Sequence, residues 1–229
     1  MNLIQKAKAD GRQALGEAEG KALLARFGVA VPKTTVVKDA AAVDHGVAGM
    51  TFPVVVKVVS PDILHKSDAG GVRVGLKSAD EVKAAIAGMA ALPKIRPAKV
   101  EGWLVEEMVP AGQEIVVGGL RDPDFGPLVM VGLGGIFVEV LADVAFRICP
   151  IARVDAEEMI DELKGAAVLK GARGREPASR DAIVDVLMKI GGENGLLMKH
   201  GDDIAEADIN PLIVSKSDAV AVDARFILK

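Results

Sequence analysis

The sequence predicts an α/β (α+β) protein of two lobes, residues 1–101 and 102–229. Three observations predict it. Short valine-rich stretches alternate with helical stretches along the chain, the pattern of helices packed on sheets. The 229 residues are 50% hydrophobic and 26% charged, which suits a globular chain with a substantial core. The stretch from Pro93 to Gly102 holds two prolines and three lysine or arginine residues and reads as a connection between the lobes.

Leu3 to Phe27 reads as helical, interrupted at Gly11 and Gly16 and stopped by Gly28. Val29-Ala30-Val31-Pro32 starts an extended segment, and Ala40 to Val47 is a short helix. Phe52 to Val59, rich in β-branched residues, is a strand. A polar loop runs from Asp62 to Gly71, and Val72 to Leu76 alternates as a second strand. Ser78 caps a helix that reaches about Ala91, with Asp80 and Glu81 in its first turn. In the second lobe, Trp103 to Met108, Glu114 to Gly119 and Leu128 to Val131 are strands. Asp155 to Leu163 and Arg180 to Ile190 are helices. Ile204 to Leu228 reads as strands joined by turns at Asn210-Pro211 and at Ser215-Lys216-Ser217-Asp218.

Composition excludes several classes. A net charge of -4 argues against a nucleic-acid partner, which needs clustered cations. Aromatic residues are 3% with no tyrosine, too few for base-stacking platforms. Cys149 is the one cysteine, so neither an intramolecular disulfide nor a cysteine zinc cluster can form. Met1 to Lys6 reads as a polar helix opening and not as a signal peptide. No apolar run approaches the ~18 residues of a membrane span. The expectation is a soluble, cytoplasmic protein with no membrane partner.

Lys57 stands alone among Val54, Val55, Val56, Val58 and Val59. It is either a solvated lysine on the outer face of a strand or a cation held beside a phosphate. In the loop Ser60 to Gly71, Gly70-Gly71 allows backbone amides to approach an anion. No Walker pattern is present, so this is not a P-loop. His65 lies between Asp62 and Asp68, which can fix its tautomer. It is either a surface histidine or a nucleophile toward a phosphoryl group. Glu106 and Glu114 border one cleft if their strands are neighbours, and otherwise are surface glutamates.

Gly132-Leu133-Gly134-Gly135 lacks a dinucleotide fingerprint and reads as a tight backbone approach between the lobes. Arg147, after Glu139 and Asp143, reads as an ion pair in preference to a phosphate contact. Alternation puts Asp208 and Asn210 on one strand face, and a segment returning after Pro211 brings Asp223 to them. Two carboxylates and an amide oxygen are hard ligands that suit Mg²⁺, and the same residues also serve turns.

Together these pieces resemble an ATP-grasp protein, in which two lobes hold a nucleotide between them. More closely, the chain resembles the β subunits of ADP-forming acyl-CoA synthetases (acetate–CoA ligase, ADP-forming), relatives of succinyl-CoA synthetase. The resemblance is carried by Gly11-Arg12 with Glu17 and Glu19, Phe52 to Lys57, the Ser60–Gly71 loop and Gly112-Gln113-Glu114. It continues through Arg121 to Pro127, Gly132 to Glu139, Gly171-Ala172-Arg173-Gly174, Asp208 to Leu212 and Val222 to Arg225. It implies that Lys57 contacts the α-phosphate, that Val105 and Glu106 form the adenine hinge, and that Glu114 holds the ribose. Asn210 and Asp223 are implied as Mg²⁺ ligands with Asp208 beside them, where relatives often carry glutamate.

His65 matches the position thought to be phosphorylated transiently. The implied reaction is acyl-CoA, ADP and phosphate giving a carboxylic acid, CoA and ATP, reversibly, through a phosphohistidine relay. The implied partner is a CoA-binding α subunit with its own phosphohistidine, in a heterotetramer. The rival readings are another ATP-grasp carboxylate ligase, with no phosphohistidine, and a non-enzymatic nucleotide-sensing module.

Overall fold

The computed structural model describes residues 3–63, 65–135, 142–171 and 176–229. The chain folds as two compact units: Pro32–Met108 is one, and Met1–Val31 with Val109–Lys229 is the other.

The first unit is a four-stranded antiparallel sheet in the order β2-β5-β3-β4. The strands are β2 (Thr34–Val37), β3 (Val54–Val59), β4 (Val72–Leu76) and β5 (Gly102–Glu107). Alternation sorts β3 by face. Val54, Val56 and Val58 are fully buried and share a core with Val82, Ile86 and Met89. Those three residues lie at helical spacing on α4 (Ala79–Ala90). The helix begins where predicted, because Ser78 Oγ accepts the Glu81 amide while Glu81 Oε2 accepts the Lys77 amide. The short helix α3 (Val43–Gly46) follows a single 3-10 turn at Ala40–Ala42.

The second unit is a seven-stranded antiparallel sheet in the order β1-β11-β9-β6-β7-β8, with β10 paired to β9. Its long strands are β6 (Gln113–Asp122), β7 (Gly126–Leu133) and β9 (Ile204–Val214). The others are β1 (Ala14–Leu15), β8 (Val144–Ile148), β10 (Ala219–Ala221) and β11 (Arg225–Leu228). Helices α1 (Leu3–Ala9), α2 (Glu17–Arg26), α5 (Arg153–Asp161), α6 (Arg180–Gly191) and α7 (Leu196–His200) belong here. Its core joins Ile115, Val117, Val129 and Ile209 of the sheet to Met159, Ile160, Ile183 and Leu187 of the helices.

Three expectations are corrected. The boundary at 101/102 is misplaced, because the strand after it, β5, is the centre of the small sheet, paired with both β2 and β3. The N-terminal residues instead join the large sheet, where Leu15 pairs with Phe226. Asn210-Pro211 is not a turn either. The strand β9 runs through it, and Ile115 faces Leu212 while Val117 faces Ile209, so two residues of β9 oppose one of β6. Such a bulge tolerates a proline, which has no N–H for the ladder. The turn at 215–218 is as predicted and joins β9 to β10.

Candidate functional site

In the small sheet, Lys57 points away from the valine core yet is only 8% exposed. Its Nζ donates to Glu106 Oε1 at 3.4 Å, and Glu106 is 1% exposed. The other carboxylate oxygen accepts from Thr34 Oγ1 at 3.0 Å. Lys57 is therefore not a solvated lysine. Three strands bring a cation, a carboxylate and a hydroxyl together, with Thr34 directly opposite Glu106 in the register. Thr34 escapes sequence reading because nothing in the sequence gives the pairing of β2 with β5. Val105 is fully buried in the core. Val105 and Glu106 both lie inside the ladder, flanked by β2 on one side and β3 on the other.

The loop after β3 ends in tight packing. The Gly70 amide donates to Ser67 O at 2.9 Å and the Gly71 amide to Lys66 O at 2.7 Å. These amides are engaged within the loop, contrary to the expectation that they approach an anion. Gly71 is needed for space, since a Cβ there would lie 2.4 Å from Val58 Cγ1. Gly70 has φ +72, a region that suits glycine. His65 is exposed. The flanking aspartates hold the loop: Asp62 Oδ2 accepts the Lys99 amide at 2.7 Å, and the Asp68 carbonyl accepts from Lys94 Nζ at 3.1 Å.

In the large sheet, β5 is absent and β6 lies between β9 and β7. The strands of Glu106 and Glu114 are therefore not neighbours. Glu114 is exposed near the start of β6. Its carbonyl accepts the Gly134 amide at 2.8 Å. A Cβ on Gly134 would lie 2.9 Å from the Glu114 backbone, and Gly135 has φ +64. The glycine pair is thus a close approach within this one unit, between the ends of β6 and β7. Residues 136–139 of that motif and 172–174 of another lie outside the described residues. Glu114 opens on a cavity of 740 Å³ lined also by Gln113, Leu133, Leu169, Pro177 and Lys216, a volume typical of ligand pockets.

The acidic residues meet on the same sheet. On β9, Ala207 and Ile209 face the core while Asp208 and Asn210 share the other face. Arg225 of β11 stands opposite Asp208, and the Val222 amide donates to Pro211 O at 3.0 Å. Asp223 follows directly. Burial first, then the charges of Asp223 and Glu206, push the Asp208 carboxyl above its ordinary value, against an opposing pull from Arg225. A half-buried carboxylate crowded by others, with an amide oxygen beside it, fits a divalent cation.

Arg147 is an ion pair, but with Glu162, to which it donates two bonds. Asp143 instead accepts the Lys164 and Gly165 amides, both at 2.8 Å. Cys149 is buried and its thiol is pushed up to about 12, so it is no nucleophile at neutral pH.

Two antiparallel sheets, one of four strands and one of seven, each packed with helices, define a class, and the sequence matches the ATP-grasp domain over residues 6–228. The chain belongs to the ATP-grasp family. It is 43% identical, over 99% of its length and 96% of the relative's, to the acetate–CoA ligase [ADP-forming] I subunit beta of Pyrococcus furiosus. Two structures of the dinucleotide forming acetyl-coenzyme A synthetase 1 of Ca. Korarchaeum cryptofilum are similar at 41% identity, covering 99% of this chain and 98% of theirs. One, with coenzyme A and acetyl-coenzyme A, has a phosphorylated phosphohistidine segment in the site I orientation (TM-score 0.89). The other, with coenzyme A and Mg-AMPPCP, has that segment pointing towards the nucleotide binding site (TM-score 0.85). Among the described residues, no helix is long and apolar enough to cross a membrane.

Proposed function

We propose that this chain is the nucleotide-handling β subunit of a cytoplasmic ADP-forming acyl-CoA ligase. With a CoA-binding α subunit it converts acyl-CoA, ADP and phosphate to a carboxylic acid, CoA and ATP, reversibly. The observation that supports the nucleotide half is the nearness of Asp223, in the segment that enters β11, to Asp208 of β9, whose carboxyl its charge raises. Asn210 and Asp223 would hold Mg²⁺, with Asp208 beside them. That ion supplies charge neutralisation of the nucleotide's phosphate oxygens.

The chain's own residues do the rest. Lys57, held on a stiff strand, places a cation against the phosphates, and the Glu106 carboxylate fixes its position. Glu114 accepts from the ribose hydroxyls at the mouth of its cavity. An imidazole nitrogen of His65 attacks the phosphoryl group as the bond to the leaving oxygen breaks, and the same nitrogen later gives the group up. In the direction of ATP synthesis, the phosphoryl group arrives from the partner's histidine and leaves to ADP. Positioning and charge carry such a loose transfer, so the residues needed are few.

Incubation with Mg²⁺ and ATP labelled at the γ-phosphate tests the reading. The chain takes up an acid-labile, alkali-stable label, and His65→Ala abolishes it. Equal labelling of His65→Ala and wild type would sink the relay through this residue.

A further inference from the structure

The connector at 93–101 does more than join two elements. It is a fixed base: Ile95 is 1% exposed in the core of its unit, and Ala98 packs on the same core. The Ile95 and Arg96 amides both donate to Leu92 O. From this base the chain grips the histidine loop on either side. Three residues before His65, the Asp62 carboxylate accepts the Lys99 amide at 2.7 Å. Three residues after it, the Asp68 carbonyl accepts from Lys94 Nζ at 3.1 Å. Leu92 Cδ1 lies 2.9 Å from where a Cβ on Gly70 would fall. Neither polar contact involves the imidazole, so both act on where the histidine is and not on what it is.

We propose that Asp62 and Lys94 are positioning residues that clasp the His65 segment to the 92–99 connector and set how often, and how far, the histidine departs. The inference rests on the reading of His65 as a phosphate carrier. Reach is the first argument. While Asp62 is held and Ile63 stays buried, His65 is two residues from its anchor, a Cα reach of about 7 Å. Released back to the end of β3 at Val59, the lever is six residues and the reach about 20 Å. Strength is the second. Both contacts are exposed hydrogen bonds, and each holds the docked state by only about five- to tenfold. A carrier that must visit two phosphoryl partners needs such a clasp, firm enough to present the histidine and weak enough to release it.

The test uses the chain with the partner subunit that co-purifies with it. Three quantities are measured. The first is hydrogen exchange at the Ala69, Gly70 and Gly71 amides, which close the loop on His65 O, Ser67 O and Lys66 O. The second and third are the rate of labelling by γ-labelled ATP and the rate at which label passes to the partner. In Asp62→Ala and Lys94→Ala, exchange at these amides rises at least fivefold, and the ratio of the two transfer rates shifts at least fivefold. Asp62→Asn keeps an acceptor and Lys94→Arg a donor, and both stay near wild type. Unchanged exchange and an unchanged ratio overturn the proposal. So does a parallel fall in both rates that Asn and Arg fail to rescue, since that is loss of structure alone. If wild type takes no label on His65, the carrier reading falls, and the exchange measurement alone decides the clasp.

Discussion

Lys57 shows how much one register position decides. In sequence it is a lysine among valines, with two opposite readings. In the sheet it is buried against a carboxylate that is itself buried. A buried ion pair gains little over apolar packing, but removing one partner strands the other in low dielectric. Lys57→Met keeps most of the stem and removes the charge. It should lower stability by on the order of 3 kcal/mol in urea unfolding and abolish Mg-ATP binding in calorimetry. Intact stability with lost binding would mean that Glu106 finds enough support elsewhere, and unchanged binding would remove Lys57 from the phosphate site. The joint appearance of a stability defect and a binding defect separates this role from that of a surface cation.

At the scale of elements, the strands β3 and β4 and the helix α4 were legible because their signals are local. A run of β-branched residues, strict alternation and a serine cap each act within a few residues. What escaped depends on pairing between distant strands. Asn210-Pro211 forms no turn because a bulge against β6 absorbs the proline, and only the partner strand reveals a bulge. The 93–102 stretch reads as a connection, but its grip on the histidine loop spans 37 residues from Asp62 to Lys99 and has no sequence signature. At Gly70-Gly71 the absence of side chains is legible in the sequence, but the close packing of Gly71 on Val58 is not. Gly71→Ala tests that packing. Its new methyl would meet Val58 Cγ1 at 2.4 Å, and such overpacking costs about 1–3 kcal/mol. The expected outcome is a lower urea midpoint together with faster proteolysis near His65. A Gly71→Ala protein of wild-type stability would argue that the loop has slack there.

At the scale of the whole molecule, the two units are not equivalent in sequence. The small unit is continuous, Pro32–Met108, and its sheet pairs and core residues all fall inside those bounds. The large unit is built from both ends of the chain. Leu15 pairs with Phe226, Leu23 and Leu24 sit in its core, and Gly20 packs so closely on the segment entering β11 that a Cβ would lie 2.9 Å from Ala224 O and 3.1 Å from the Phe226 ring. A continuous segment with its own core folds alone, whereas one that lacks an element covering its core does not. The fragment 32–108 should therefore unfold cooperatively in urea when made by itself. The fragment 109–229 should not, because loss of residues 1–31 uncovers Phe226 and the core around it. Adding the 1–31 peptide in trans should restore a cooperative transition to 109–229, with a midpoint that rises with peptide concentration. Failure of the peptide to act, with 109–229 folded unaided, would mean that the seven-stranded sheet is complete without its N-terminal strand and helix. The order of assembly follows from the same asymmetry: the small unit can form as soon as residue 108 is available, and the large one must wait for the C-terminal strand β11 to meet β1.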